Sequence, residues 1–156
     1  RNKYEIDKDT GLIALDRVLH TAQVYPVDYG FVPQTLWDDG DALDAMILTT
    51  EPLAPGILVR ARPVGIMDMV DDGDPDAKIL CVPMDDPRWK NVKDLKDVNP
   101  HTVKELEHFF CTYKQLQGKV DNPKRQLKDP KLGLIHNVGG NVGIHVSAVS
   151  IFGLPG

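Results

Sequence analysis

The chain has 156 residues, of which 42% are hydrophobic and 26% are charged, and its formal net charge at pH 7 is −5. This size and composition predict one globular domain with its own core, and the acidic balance argues against a nucleic-acid partner, because such proteins usually present a basic surface. No apolar run approaches the roughly 18 residues of a membrane span, so we expect no membrane partner. Cys81 and Cys111 are typical of reduced thiols in a cytoplasmic protein, although the sequence alone does not exclude a disulfide between them.

The first half of the chain predicts short strands separated by turns. Residues 3–6 and 12–19 are predicted strands on either side of the turn Asp9-Thr10-Gly11. Residues 20–37 have no clean period and contain Pro26, Gly30 and Pro33, which predicts a structured loop with strand pieces. Further strands are predicted at 43–50, at 57–70 with a possible break near Pro63, and at 78–82. Strands of this number and spacing favour a barrel or a sandwich.

The second half of the chain predicts one helix and a different C-terminal segment. Asn99 is a suitable N-cap, Pro100 suits the first turn, and apolar residues recur at helical spacing from Val103 to Tyr113, which predicts a helix reaching about Gly118. Residues 119–131 are then rich in lysine and arginine. Residues 132–156 are glycine-rich and partly alternating, which predicts one or two strands.

Two acidic loops stand at strand entrances. They are Asp39-Gly40-Asp41-Ala42-Leu43-Asp44 and Asp71-Asp72-Gly73-Asp74-Pro75-Asp76, within a segment, residues 36–76, that holds ten acidic residues against Arg60 and Arg62. Carboxylates are preferred ligands of hard cations such as Mg²⁺, and two loops brought together could hold several cations that activate water and neutralise phosphate. Solvated turns are the simpler explanation of either loop alone. An EF-hand is excluded because the sixth-position glycine and twelfth-position glutamate are absent.

Basic and phenolic side chains complete a phosphate-binding inventory. The candidates for phosphate contacts are Lys3, Arg17, Lys78 and Lys114, and the candidate hydrogen-bond donors are Tyr25, Tyr29 and Tyr113. Taken singly, each is more commonly a surface residue or a half-buried aromatic. Their meaning therefore depends on whether they occur together with the acidic loops.

The order and spacing of these pieces resemble the soluble family I inorganic pyrophosphatases. The resemblance covers residue 1 to about residue 119, and the acidic hexapeptide is close to the family signature Asp-Gly-Asp-Pro-x-Asp. The matching pieces are Lys3-Tyr4-Glu5, Leu15-Asp16-Arg17, Tyr25-Pro26, Asp28-Tyr29-Gly30-Phe31, Asp39-Gly40-Asp41-Ala42-Leu43-Asp44, Asp71, Asp76-Ala77-Lys78, His108-Phe109-Phe110 and Tyr113-Lys114.

This resemblance implies an OB-like five-stranded β-barrel flanked by helices, and an enzyme that hydrolyses inorganic pyrophosphate to two phosphates with several Mg²⁺ ions. By analogy, Asp41 is the catalytic carboxylate, and no covalent intermediate forms. The metal ligands are Asp39, Asp44, Asp71, Asp76 and, through water, Glu5. The residues expected to bind substrate are Lys3, Arg17, Tyr29, Lys78, Tyr113 and Lys114. The resemblance further implies a cytoplasmic homo-oligomer, a hexamer if it is bacterial-like.

The chain departs from the family pattern at three places. Ala42 stands where the signature has proline, which leaves one backbone torsion free. The strand segment that family members carry before residue 1 is missing, and residues 120–156 form a divergent basic and glycine-rich tail beside a pyrophosphatase domain at 1–119. Because of these departures, an alternative interpretation is that the chain is a folded, metal-binding relative of the family with reduced or no activity. An OB-type nucleic-acid module is a further alternative, which the net negative charge opposes.

Overall fold

The computed structural model describes residues 1–36, 40–71 and 73–118 in full, together with the backbone of residues 126–128 and 144–150. These residues are mainly β with one α-helix, α1 (Pro100–Thr112), which confirms the predicted class. The expectation of several flanking helices was wrong for the described residues, because the other helical segments are single 3₁₀ turns at Pro87–Trp89, Leu95–Asp97 and Gln115–Gln117.

The strands fall into two hairpins and a larger sheet. In chain order they are β1 (Asn2–Ile6), β2 (Ile13–Val18), β3 (Asp28–Phe31), β4 (Asp44–Ile47), β5 (Ile57–Asp68), β6 (Val70–Asp71), β7 (Asp74–Pro75), β8 (Lys78–Pro83), β9 (Gln126–Lys128) and β10 (Ile144–Ser150). The pairs β1–β2 and β6–β7 are antiparallel hairpins. The longer strands of the first half were predicted to within a few residues, whereas the two-residue strands β6 and β7 were not predicted. The strand predicted at 57–70 runs unbroken through Pro63, with a register shift beside it.

The larger sheet has the order β10-β3-β4-β8-β5-β9. Within it β4 and β8 are parallel, and the other neighbours are antiparallel. β10 pairs with β5 as well as with β3. β10 lies within residues 132–156 and agrees with the strand predicted there, whereas β9 lies in the basic segment, where no strand was predicted. The OB-like barrel stays a prediction.

The core is divided by the central strands of the larger sheet. On β4, Met46 packs in one apolar cluster, whereas Ala45 and Ile47 pack in the other. On β8, Leu80 and Cys81 alternate between the clusters in the same way. Successive side chains of a strand point to opposite faces, so a strand buried on both faces reads as a continuous apolar run. This explains why neither strand shows a polar–apolar alternation.

Helix α1 begins at Pro100, where the sequence predicts, but ends at Thr112, before the predicted end near Gly118. The Asn99 side chain accepts a hydrogen bond from the His101 backbone N–H at 2.8 Å, which satisfies one of the unpaired donors of the first turn. Leu106, Phe109 and Phe110 are buried against the sheet. The α-helix ends at Thr112 and a 3₁₀ turn follows, which closes at Gly118 with a φ of 72° that suits glycine.

A buried arginine forms hydrogen bonds to the segment, residues 89–92, that precedes α1. Arg62, on β5, is 9% exposed, and its guanidinium donates to the Val92 carbonyl at 2.8 and 3.0 Å and to the Trp89 carbonyl at 2.8 Å. We expect Arg62→Met to lower the free energy of unfolding by about 2–4 kcal/mol, because the two carbonyls lose charge-assisted donors at a buried position. Urea unfolding measures this change.

The matched control is Arg60→Met, on the same strand but exposed. An exposed substitution of this kind changes stability by at most about 0.5 kcal/mol. Equal losses in the two variants would show that the charge of β5, rather than the Arg62 hydrogen bonds, stabilises the fold.

Candidate active site

One cavity of about 630 Å³ brings the predicted site residues together. Its walls come from the two hairpins, the loop that precedes β4, the entrances of β4 and β8, and the end of α1. The predicted residues that line it are Lys3, Glu5, Arg17, Tyr29, Asp41, Asp44, Asp71, Asp76, Lys78, Tyr113 and Lys114. Asp39 lies outside the described residues. Side chains more than a hundred positions apart in sequence therefore share one site.

Lys78 is the central cation of this cavity. Its ammonium donates to Asp44 Oδ2 at 2.7 Å and to Asp76 Oδ1 at 2.8 Å, although the side chain is 3% exposed. The parallel register of β4 and β8 sets Asp44 directly opposite Lys78. Both residues stand at the entrance of a strand, so strand pairing itself delivers an acid and a base to the same end of the sheet.

Tyr29 and Asp76 share this buried environment. The Tyr29 hydroxyl donates to Asp44 Oδ2 at 2.5 Å. Burial, together with the Asp44 charge, raises the pKa of Tyr29 well above its ordinary value. A phenol is already protonated at neutral pH, so Tyr29 is a hydrogen-bond donor there, and the shift extends this state to more alkaline pH. Burial also raises the pKa of Asp76; Lys78 opposes this shift, whereas Asp44 and Asp71 add to it.

Lys114 is a second buried lysine that lines the cavity. Lys114 is 4% exposed, and its ammonium contacts the Asp71 carboxylate of the β6–β7 hairpin. It also lies 5.6 Å from the centre of the Tyr113 ring. This ion pair connects the segment after α1 to the β6–β7 hairpin. Because Lys114 is buried, its ammonium has little conformational freedom where it lines the cavity.

An aromatic cluster contacts the ammonium groups of both lysines. The rings of Tyr25, Tyr29, Phe109, Phe110 and Tyr113 contact one another at centroid distances of 4.8–6.3 Å. The Lys78 ammonium lies 5.4 Å from the Tyr29 ring centre and 5.8 Å from that of Phe110. Ring faces attract cations, so the cluster stabilises a buried ammonium while it excludes water from one side of the site.

A third group of charges lies on the β1–β2 hairpin. Lys3 contacts the Glu5 carboxylate and lies 3.2 Å from Asp16 Oδ2. Arg17 Nε donates to the same oxygen at 2.7 Å. Partial burial acts to raise the pKa of Asp16, but the Arg17 hydrogen bond and the Lys3 charge outweigh burial and hold that pKa below its ordinary value.

Asp41 occupies the exposed rim of the cavity. Its Oδ1 accepts a hydrogen bond from Lys8 Nζ at 2.8 Å, and both side chains are largely exposed. The preceding Gly40 has a φ of 84°, a left-handed conformation that glycine adopts without strain. At Gly40 and Asp41, the part of the predicted Asp-Gly-Asp turn that the structure describes, the backbone bends before β4.

The chemistry of the donors suits a hard cation. The anionic groups among the described lining residues are carboxylates, with no histidine or cysteine among them, and Mg²⁺ prefers oxygen ligands. Across residues 1–36, 40–71 and 73–118, no three potential ligands already converge as a metal cluster. The described contacts give a reason, since Lys78 lies between Asp44 and Asp76 and Lys114 neutralises Asp71.

Several residues near the site were not given a role by the resemblance. Tyr25, Lys8 and Asp74 line the cavity, and Asp16 contacts two residues that do. Tyr25 and Asp16 carried a signal because they lie in motifs that match the family, and Asp74 carried one because it lies in the second acidic loop. Lys8 carried none, because a lysine in a turn is ordinary and only the fold places it beside the cavity.

Relatives with the same arrangement of sequence and fold are known. A family model described as inorganic pyrophosphatase matches residues 1–132. The inorganic pyrophosphatase of Nostoc sp. is 55% identical over 120 residues, which cover 77% of this chain and 71% of that protein. The inorganic pyrophosphatase of Methanosarcina acetivorans is 54% identical over 119 residues, covering 76% and 71% of the two chains.

Solved structures agree with this likeness. The inorganic pyrophosphatase of Thermus thermophilus superposes with a TM-score of 0.74 at 47% identity, over 82% of this chain and 72% of that chain. The Helicobacter pylori inorganic pyrophosphatase gives a TM-score of 0.70 at 41% identity, over 82% and 76%. The resemblance predicted from the motifs is confirmed: the chain belongs to the family I inorganic pyrophosphatases, enzymes that hydrolyse pyrophosphate.

Proposed function

We propose that this chain hydrolyses inorganic pyrophosphate to two phosphates with Mg²⁺, by direct attack of water and without a covalent intermediate. The observation that supports this most is the shared cavity, where carboxylates of two acidic loops lie together with ammonium and guanidinium groups of the β1–β2 hairpin, of β8 and of the segment after α1. Pyrophosphate carries several negative charges on a small molecule, and these repel an attacking hydroxide. Its hydrolysis is therefore accelerated by positive charge that is already in position when the substrate binds.

The residues divide into three roles in this proposal. Asp41 takes a proton from the attacking water. Asp39, Asp44, Asp71, Asp76 and, through water, Glu5 hold the magnesium ions, which when bound neutralise phosphoryl charge and lower the pKa of water. The residues that bind the two phosphoryl groups are Lys3, Arg17, Tyr29, Lys78, Tyr113 and Lys114.

The protein's own contribution is preorganisation. Lys78 and Lys114 are buried and fixed by carboxylates, so little side-chain entropy remains to be lost when they meet phosphoryl oxygens. The Tyr29 hydroxyl already donates to Asp44, so its position is set before a substrate arrives. The aromatic cluster keeps water from the inner wall of the site, which strengthens the electrostatic contacts on that side.

The test is phosphate release from pyrophosphate by the intact chain, with Mg²⁺ and after removal of divalent ions by EDTA. We expect release only with Mg²⁺. Intact-mass analysis of acid-quenched reactions is expected to detect no phosphorylated protein. If the folded chain binds Mg²⁺ but releases no phosphate, the alternative of an inactive, metal-binding relative of the family is supported instead.

The proposal extends to fold detail, assembly and location. We propose that β3, β4, β5, β8 and β10 form the OB-like barrel; the pairing of β10 with both β3 and β5 supports this. Family membership supports a cytoplasmic homo-oligomer, a hexamer if bacterial-like, and light scattering at several protein concentrations measures the assembly.

No helix in the described part of the chain is long and apolar enough to cross a bilayer.

Ala42, which replaces the proline of the family signature, offers a mild test of the acidic loop. We expect the reverse change, Ala42→Pro, to alter kcat/KM by less than tenfold, because alanine keeps the neighbouring aspartates and loses only a fixed backbone torsion. Steady-state kinetics at saturating Mg²⁺ measure the difference. A gain above tenfold in the proline variant would show that the free torsion limits this enzyme.

A further inference from the structure

The β1–β2 hairpin contains an irregularity at the edge of the cavity. Lys3 pairs with Arg17, and the next residue, Tyr4, pairs with Leu15, so Asp16 is an extra residue in β2 without a partner in the register. This is a β-bulge, a feature that redirects a side chain and recurs next to active sites. In a regular strand, Asp16 and Arg17 would point to opposite faces.

The bulge lets one carboxylate oxygen contact two cations. Asp16 Oδ2 lies 2.7 Å from Arg17 Nε and 3.2 Å from Lys3 Nζ. The Asp16 side chain is 24% exposed and that of Lys3 is 19% exposed, so the pair with Lys3 is partly shielded from water. Lys3 and Arg17 line the cavity, whereas Asp16 does not. The carboxylate therefore lies behind the two cations.

The geometry of the Arg17 contact leaves its outer edge for a ligand. The bond to Asp16 uses Nε, so the two terminal nitrogens of the guanidinium are not engaged by it. A guanidinium presents these donors in a planar fork that matches phosphoryl oxygens. Fixing Nε orients the plane of that fork, because a side chain with several rotatable bonds otherwise samples many directions.

We propose that Asp16 is a positioning residue that aims Lys3 and Arg17 at a phosphoryl group of the substrate. This inference rests on the proposed function, in which Lys3 and Arg17 bind substrate. Asp16 contacts no substrate itself and acts through these two cations. The β-bulge is what brings its carboxylate to the same side as both of them.

The test is Asp16→Asn, which keeps the shape of the side chain and removes its charge. We expect KM for magnesium pyrophosphate to rise about tenfold while kcat stays within threefold, since the cations remain but are less well aimed. We also expect calorimetry with methylenediphosphonate and Mg²⁺, a non-hydrolysable pyrophosphate analogue, to show weaker binding by a similar factor. The analogue keeps the test independent of turnover.

The sign of the effect separates positioning from simple charge. Removing a negative charge beside two cations strengthens anion binding if only the net potential matters, whereas loss of positioning weakens it. The control is Asp9→Asn, an exposed residue of the same hairpin outside the cavity, which makes the same charge change and is expected to alter KM less than twofold. Thermal unfolding confirms that both variants fold.

A double-mutant cycle tests whether Asp16 works through Arg17. In an Arg17→Met background, Asp16→Asn is expected to raise the dissociation constant of the analogue far less than tenfold, because one of its two targets is gone. Unchanged or tighter analogue binding in Asp16→Asn, or full additivity with Arg17→Met, would overturn the inference. A wild-type chain that binds the analogue but releases no phosphate would overturn the proposed hydrolysis and leave the positioning role in place.

Discussion

Asp41→Asn is expected to lower kcat for pyrophosphate hydrolysis by about two to four orders of magnitude, the usual contribution of a positioned general base. An amide cannot accept the proton that Asp41 takes in the proposed mechanism. The side chain is 66% exposed and pairs with an exposed lysine, so the fold does not depend on its charge. KM should change little. Stopped assays of phosphate release at saturating Mg²⁺ measure both constants.

Two controls make the Asp41 result decisive. Asp85→Asn changes the same charge at an exposed position outside the cavity, and we expect it to retain wild-type kcat. The melting temperatures of both variants should match that of the wild type. If Asp41→Asn kept more than a tenth of the wild-type kcat, another group would have to take the proton, and the assignment of Asp41 would be wrong.

Lys78→Met is expected to affect both stability and activity. The ammonium is 3% exposed and lies between Asp44 and Asp76. Its loss leaves two partly buried carboxylates without their counter-charge. We expect the free energy of unfolding without divalent ions to fall by roughly 2–4 kcal/mol, less than for a fully buried pair because Asp44 is 32% exposed. We also expect kcat/KM to fall at least a hundredfold, since Lys78 is assigned to the phosphoryl group.

The response to Mg²⁺ distinguishes this explanation from general damage to the core. Carboxylates that have lost a lysine attract a cation more strongly, so Mg²⁺ should raise the melting temperature of Lys78→Met more than that of the wild type. Lys96→Met removes an exposed lysine from a surface pair with Asp94 and should change stability by less than about 1 kcal/mol. Equal Mg²⁺ responses in Lys78→Met and wild type would contradict the charge argument.

The strands and the helix were largely predictable from local pattern. Asn99 and Pro100 define the start of α1 through capping chemistry that acts within one turn. The end of α1 was less predictable: the apolar pattern reaches Tyr113, but the chain tightens to a 3₁₀ turn before Gly118. Helix ends depend on packing against the rest of the fold, and the pattern of the helix itself does not contain that information.

The composition of the site was predictable, but its internal contacts were not. The motifs around Asp44 and Lys78 identified both residues, yet only the parallel pairing of β4 and β8 places them opposite each other. The same holds for Lys114 and Asp71, which are 43 positions apart. Lys8 had no local signal that separated it from an ordinary surface charge, and Asp16 was marked only by its place in the motif Leu15-Asp16-Arg17.

The sequence by itself determined the family, the strand-rich class and the list of charged groups available for phosphate chemistry. These depend on residue identity and spacing along the chain, which a linear pattern records. The tertiary structure decided which carboxylate each lysine contacts, which cations are buried and where the β-bulge directs Asp16. Those outcomes depend on strand register and close packing between distant segments, because electrostatic contacts act over a few Å in space regardless of separation along the chain.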